Sequence, residues 1–325
     1  MHPAFSVIFF TTLAGAGQGL FLALYSGQLY SVIKLLPGES SVGFYALGSL
    51  LVLLLLVAGL ISSFFHLGRP ERAWRSAAMW RTSWLSREVI ILPTFIGTVA
   101  VWGLIHFSGW NPVLFTYSGS IEIDLSLLVG AIGTFLCFTL FLCTGMIYAC
   151  IKQLQEWATP LTVINYVLLG GASGFMLATA FAAWQGSGMT WFFGGWSVIL
   201  TFLAFVSRSA SLFRNARITY KSTVQTAIGI RHAQIEQKAQ GAMGGSFNTR
   251  EYFHGASERK YKNIKWLFLV LVFPLPLVLV SIGLGAHMLG LLVAAWLVQY
   301  AGLLMERWFF FAQANHPQNL YYQTV

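Results

Sequence analysis

Charge is what this sequence lacks. Its 325 residues include 19 lysines and arginines and 10 aspartates and glutamates, so only 9% are charged. A soluble globular protein carries roughly 25%, and so few charges cannot clothe a soluble surface of this size. Cysteine is nearly as scarce. Cys137, Cys143 and Cys150 lie in one apolar run, with no CxxC pair and no Cys/His cluster. Such a set builds neither an iron–sulfur cluster nor a structural zinc site within this chain. Thiols in an apolar run read instead as buried small hydrophobes. The same numbers exclude collagen-like, disordered and disulfide-scaffold classes.

What is present is apolar. Hydrophobic residues make up 57% of the chain, with 32 glycines and 27 phenylalanines. Small residues let membrane helices approach, and aromatics fill gaps and interfaces. The expected fold class is therefore an all-α integral membrane protein. A helix needs about 20 mostly apolar residues to cross the hydrocarbon core. Eight stretches qualify: 5–33, 43–66, 88–108, 125–150, 161–184, 192–213, 266–286 and 288–311. They make residues 1–325 a single membrane domain of eight transmembrane helices. The first stretch lacks a basic n-region and a small-residue cleavage site, so it is expected to be retained as a helix. The last two form an antiparallel hairpin turning near Ala286–His287. "GLFLAL" at 19–24 resembles "GFMLAT" at 174–179, in the first and fifth spans, which suits two four-helix halves. Residues 208–265 form the one long polar stretch, a loop too polar to span.

The basic residues fix an orientation. With eight spans, both termini share a side with 67–87, 151–160 and 208–265. That side carries 18 of the 19 basic residues, and Lys34 alone falls opposite. Lys and Arg concentrate in cytoplasmic loops. The expected localisation is thus a bacterial inner (cytoplasmic) membrane, with both termini and the basic loops cytoplasmic. Binding to anionic lipid head groups also accounts for such charge.

Chemistry concentrates in "HLGRPERAWRSAAMWRTSWLSREV", residues 66–89. His66 ends the second span and Glu88 begins the third, at one membrane face. Pro70 suits the first turn of a short helix. From there Ala73, Trp74, Ala77 and Trp80 line one side, and Arg72 and Arg75 another, as in an amphipathic helix lying in the interface. An imidazole, a carboxyl and several guanidinium groups meet at the hydrocarbon boundary. Quinone reduction needs such groups, because its carbonyl oxygens require hydrogen-bond donors and a proton route. Histidine can donate to one carbonyl, and a carboxyl at the membrane edge can relay protons. The alternative is structural: Glu88 pairs with Arg87 or Arg69, and His66 caps its helix.

The same stretch, "HLGRP…A…SWLSRE", resembles the signature of the DmsC branch of the NrfD/PsrC-type membrane anchors. These are eight-helix anchor subunits of molybdopterin oxidoreductase complexes. The opening "MHPAFSVIFFTTLAGAGQGL" is similar to anchors of the cytoplasmic sulfite dehydrogenase (SoeC) type. The resemblance implies a quinone pocket at His66 and Glu88, with Arg69, Ser86 and Arg87 beside them, and catalytic roles for His66 and Glu88. It implies a quinone, ubiquinone or menaquinone, as the redox partner in this chain. It also implies an iron–sulfur subunit with four [4Fe–4S] clusters and a molybdopterin catalytic subunit as partners. Dimethyl-sulfoxide-type reductases hold those subunits outside the cytoplasmic membrane, whereas the sulfite dehydrogenase type faces the cytoplasm. The basic face therefore favours quinone reduction during sulfite oxidation. The alternative is a quinol-oxidising anchor of a dimethyl-sulfoxide- or polysulfide-reductase-type complex. No metal site and no nucleic-acid partner are expected.

Other polar residues receive quieter readings. Glu306 and Arg307 form a structural pair or extend a proton path. Asn165, Tyr166 and Gln185 serve interhelical hydrogen bonding. Gly15, Gly17 and Gly19 mark a close helix crossing, since no strand precedes them to make a phosphate loop. No haem is expected. His66 and His106 lie at opposite ends of their spans, about 20 Å apart by helix rise, and His106 with His287 is a thin ligand pair. A transporter would show polar groups near midplane. Pro274 and Pro276 break the seventh span, but no charged residue lies mid-bilayer.

Overall fold

Apolar runs of this length can satisfy their backbone in a membrane only as helices or closed barrels. In the computed structural model, residues 4–65, 67–117, 121–220, 223–232, 234–235 and 258–315 are described. Among them, eight helices are long and apolar enough to cross a membrane. They are α1 (Phe5–Val32), α2 (Leu47–Phe64), α3 (Trp84–Ser108), α4 (Leu125–Ala149), α5 (Pro160–Trp184), α6 (Thr190–Asn215), a broken seventh span, and α10 (Leu289–Ala312). A π-helical stretch, Ser41–Ala46, leads into α2. The short α7 (Val224–Ile228) follows α6. The seventh span comprises α8 (Glu258–Val272) and α9 (Pro274–Gly285), separated at Phe273. Pro274 and Pro276 lack the N–H groups that would continue the α8 ladder, so the helix breaks there.

Two features depart from the sequence reading. The sixth span, expected to end at 213, runs on to 215, and α8 begins at 258 rather than 266, so the polar stretch 208–265 is helical at both ends. Charged residues concealed these turns because hydropathy stops a span where polarity rises. A two-stranded antiparallel hairpin, β1 (Val113–Tyr117) and β2 (Ile121–Asp124), also precedes α4. Its short strands are rich in β-branched and aromatic residues. Asp124 then caps α4, accepting hydrogen bonds from Leu127 N and Ser126 Oγ, each at 2.8 Å.

The two halves are visible in the packing. Helix α1 touches α2 and α4, and α3 bridges them into one ring. In the second ring α5 touches α6 and α10, with α9 bridging those two. The rings meet where α1 crosses α5, and these are the two most enclosed spans. The crossing depends on glycine. A Cβ on Gly19 would strike the Gly170 carbonyl oxygen, and one on Gly174 would strike the Gly19 backbone. The short similarity between 19–24 and 174–179 thus marks equivalent positions at the seam, and the close-crossing reading of the glycine motif holds. Within the first ring, hydrogen bonds fasten α1 to α4: Gln18 donates to the Cys137 carbonyl at 3.0 Å and Gln28 to Ser126 Oγ at 2.5 Å.

Exposed apolar side chains such as Leu104, Phe135 and Phe202 face outward along the spans. Trp74 and Trp80 lie near one end of the bundle, and Trp110, Trp184 and Trp191 near the other, all well exposed. That is the distribution of aromatic belts at the two interfaces.

Candidate functional site

The segment entering α3 is organised by its own polar groups. Residues Pro70–Met79 form a 3-10 helix rather than an α-helix, with no buried residue. Three residues per turn stack Trp74, Ala77 and Trp80 on one ridge, and Arg72 and Arg75 on the next. The Arg75 guanidinium lies 5.5 Å from the Trp74 ring centroid, and that of Arg81 lies 5.4 Å from Trp80. Ser83 caps α3 by accepting from Ser86 N at 3.3 Å. Arg87 ties the 3-10 segment to α3. Its Nε donates to the Trp80 carbonyl at 2.9 Å and its Nη2 to the Arg81 carbonyl at 2.8 Å. The guanidinium also stacks 4.2 Å from the Trp84 ring centroid.

These bonds commit Arg87 to the backbone, and the structural pairing of Glu88 with Arg87 does not form. Glu88 instead turns inward. It is 5% exposed, and its Oε1 accepts a hydrogen bond from the Thr144 hydroxyl of α4. Ser86 is also buried, whereas Arg69 is exposed at the head of the 3-10 segment. Of the five residues expected at the site, Ser86, Arg87 and Glu88 share the first turns of α3. His66 lies outside the described residues.

Glu88 belongs to a larger polar layer. Thr144 lines a cavity of about 20 Å³ with Thr11, Thr12 and Gln18 of α1, Tyr166 and Ser173 of α5, and Arg307 of α10. The Arg307 guanidinium lies 3.8 Å from the Tyr166 ring centroid, and Tyr166 stacks on Tyr148 at 5.8 Å. Arg307 Nε is 3.5 Å from Glu306 Oε2, so the pairing expected for these neighbours is present. Sequence reading misses the stronger partner: Arg208 Nε lies 2.7 Å from Glu306 Oε1, with both side chains almost wholly buried. The sequence reading places Arg208 where the sixth span, 192–213, overlaps the polar stretch, and gives it no partner. Ser207 and Ser211, small and polar beside it in an otherwise apolar run, are the signal that the helix continues.

A second cavity of about 10 Å³ begins at this pair and is lined by Glu156, Asn165 and Ser211. Asn165 donates to Ser211 Oγ at 2.8 Å, joining α5 to α6 as expected. Gln185 donates to the Gly43 carbonyl. Glu156 sits in the folded connection 151–159, where Trp157 Nε1 donates to the Phe310 carbonyl at 2.9 Å.

At the opposite end of the bundle His106 is buried, with Nδ1 2.8 Å from Ser41 Oγ, whereas His287 is exposed in the turn after α9. Among the described residues, no three His, Cys, Asp or Glu side chains gather as a metal-binding group. Cys137 and Cys143 are buried thiols, but Cys150 is exposed at the end of α4, which corrects the uniform reading of the three.

A buried carboxyl just inside one membrane face, hydrogen-bonded by a hydroxyl that lines a polar cavity, can bind and pass protons. The sequence matches the family described as DMSO reductase anchor subunit (DmsC) over residues 1–322. It is also 58% identical, over the full length of both chains, to a sulfite dehydrogenase subunit of Allochromatium vinosum. With eight apolar spans and a match that covers almost every residue, the chain is a multi-pass membrane protein and belongs to the DmsC family of anchor subunits.

Proposed function

We propose that this chain is the quinone-reactive anchor of a molybdenum/iron–sulfur oxidoreductase that oxidises sulfite in the cytoplasm. The observation that carries the reading is Glu88, a buried carboxyl at the face where the basic segment 67–87 enters α3. Quinone reduction takes two electrons and two protons. The electrons come from an iron–sulfur subunit docked on the basic face, itself supplied by a molybdopterin subunit. His66 donates a hydrogen bond to one quinone carbonyl, and Glu88 delivers a proton at the same head group. Ser86, Arg69 and Arg87 shape the mouth of the pocket; Arg87 acts through the backbone it holds. The full-length relative named as part of a sulfite dehydrogenase supports the substrate assignment.

Orientation is the first test. A reporter fused after Val325 is expected to behave as cytoplasmic, and one inserted near Ser118 as periplasmic, because Lys and Arg concentrate on the inner side. The reverse pattern removes the argument for cytoplasmic sulfite oxidation.

Attachment is the second. Connections longer than about 12–15 residues usually have a function or are disordered. The segment between α6 and α8 carries Tyr220, Phe247, Tyr252 and Phe253 among its charges, and aromatic residues are enriched at protein interfaces. Removing residues 225–250 is expected to release the iron–sulfur and molybdopterin subunits from membranes while this chain stays inserted. Continued tight attachment in a salt wash would place the dock elsewhere.

A further inference from the structure

We infer that Glu88 exchanges protons with the polar face through a buried, water-bearing path that runs by way of Thr144, Arg307, Glu306 and Arg208 to Glu156. The inference rests on the quinone reading of Glu88. The path's members come from five different chain segments, yet they lie in one layer. Counting about 1.5 Å of rise per residue, Glu88 is about 6 Å inside the start of α3 and Tyr166 about 9 Å inside the start of α5. Thr144, Glu306 and Arg208 lie about 7.5, 9 and 10.5 Å inside the ends of α4, α10 and α6. All five helix ends belong to the basic face.

The layer is continuous. Thr144 bonds Glu88 on one side and lines the first cavity on the other. Arg307 lines both cavities. Between them stands Glu306, its two oxygens facing Arg307 and Arg208. Glu156 closes the far end: its Oε1 accepts from the Tyr220 hydroxyl at 2.5 Å and from Asn315 N at 3.1 Å.

Two features favour water here over dry packing. The first cavity, at about 20 Å³, exceeds the roughly 10–15 Å³ that one water requires, and the second is at that limit. Buried polar atoms are also left over around them. Ser173 Oγ at the first cavity, and Glu156 Oε2, Asn165 Oδ1 and Gln313 Nε2 at the second, have no hydrogen-bond partner among the described residues. Buried polar groups are nearly always paired, and bound water is a common partner when protein atoms are not. Four such atoms on two adjoining cavities mark a hydrated route.

A packed ion pair needs no such surroundings. Removing one partner from a buried pair is strongly destabilising, but replacing the pair by apolar residues is often neutral. An arginine–glutamate–arginine group beside such cavities gains a use: its guanidinium groups stay charged and orient the water that carries the proton. In quinone reduction, one carbonyl oxygen takes its proton from Glu88 as electrons arrive from the iron–sulfur partner. The Glu88 carboxylate then recovers a proton along this layer from the polar face.

The test uses the assembled complex and two substitutions that remove no charged residue, Thr144→Val and Thr11→Val. The Thr11 hydroxyl bonds its own helix, at the Val7 carbonyl, so valine leaves no partner unpaired across helices. Each is expected to lower quinone-linked turnover about tenfold with the quinone KM and the dye-linked rate unchanged, and to raise the solvent isotope effect. Adding Thr144→Val to Glu88→Gln should lower the rate no further, because the path is already cut. Wild-type turnover and isotope effect in both valine variants, with Glu88→Gln impaired, would overturn the path and leave the quinone reading standing. An unimpaired Glu88→Gln would instead remove the quinone reading. If Thr144→Val loses both rates equally through failed assembly, Thr11→Val alone decides.

Discussion

Glu88→Gln in the assembled complex is expected to lower quinone-linked turnover about a hundredfold while the dye-linked rate of the catalytic subunit stays at the wild-type level. The amide keeps the size of the carboxyl and its bond to Thr144, but it cannot take up and release a proton. General acid–base groups contribute typically 10²–10⁴-fold, and the expectation here is the low end of that range. Substrate binding should hardly change. An amide in place of a carboxyl preserves a hydrogen bond, so the quinone KM is expected to move by about twofold at most. A fall in turnover at nearly constant KM is the pattern of a group needed mainly in the transition state. His66→Ala should behave differently. It removes a donor to a carbonyl oxygen, worth about 0.5–1.5 kcal/mol, and is expected to weaken quinone affinity up to about tenfold. Quinone-linked and dye-linked rates measured side by side separate these outcomes from failed assembly, in which both fall together. Wild-type quinone turnover in both variants would leave no role for this pocket.

The sequence made the span count and the chemical segment legible for one physical reason: both are local. Twenty apolar residues announce a span without reference to any neighbour, and "HLGRP…SWLSRE" sits in one connection. Glu88 could be singled out because a carboxyl among apolar residues is conspicuous. Its partner could not. Thr144 is one threonine among many in apolar helices, and only the packing of α4 on α3 selects it. Arg208 was hidden for a related reason. The sixth span is expected to run past it to 213, but only the packing of a second helix shows that Glu306 holds this arginine two turns inside the helix end. The 3-10 geometry of Pro70–Met79 was equally out of reach. Both helix types put Trp74, Ala77 and Trp80 near one side, so periodicity over ten residues does not separate them.

The glycines at the seam show how a weak sequence signal acquires a large energetic consequence. Glycine inside a helix costs about 1 kcal/mol relative to alanine, so glycine here is offset by what close approach gains. In lipid the gain is van der Waals packing between backbones. Gly174→Val should reverse it. The new side chain would occupy the backbone of Gly19 and Leu20, which cannot swing aside as a side chain does. Helices α1 and α5 must therefore separate. Overpacking a core with added methylenes costs typically 1–3 kcal/mol, and a rigid backbone opposite places this variant at about 3 kcal/mol or more. At about 2–4 °C per kcal/mol for a chain of this size class, the melting temperature of the detergent-solubilised protein is expected to fall by about 6–12 °C. Gly171→Ala is the matched control, because its Cβ would meet Leu200 Cδ1 at 3.6 Å, an ordinary contact. It should melt near the wild type. The loss should reach function as well, since Gly15 and Gly170 line the cavity beside Thr144 and moving α1 from α5 opens it. Equal melting of the two variants would mean that the halves do not depend on this crossing.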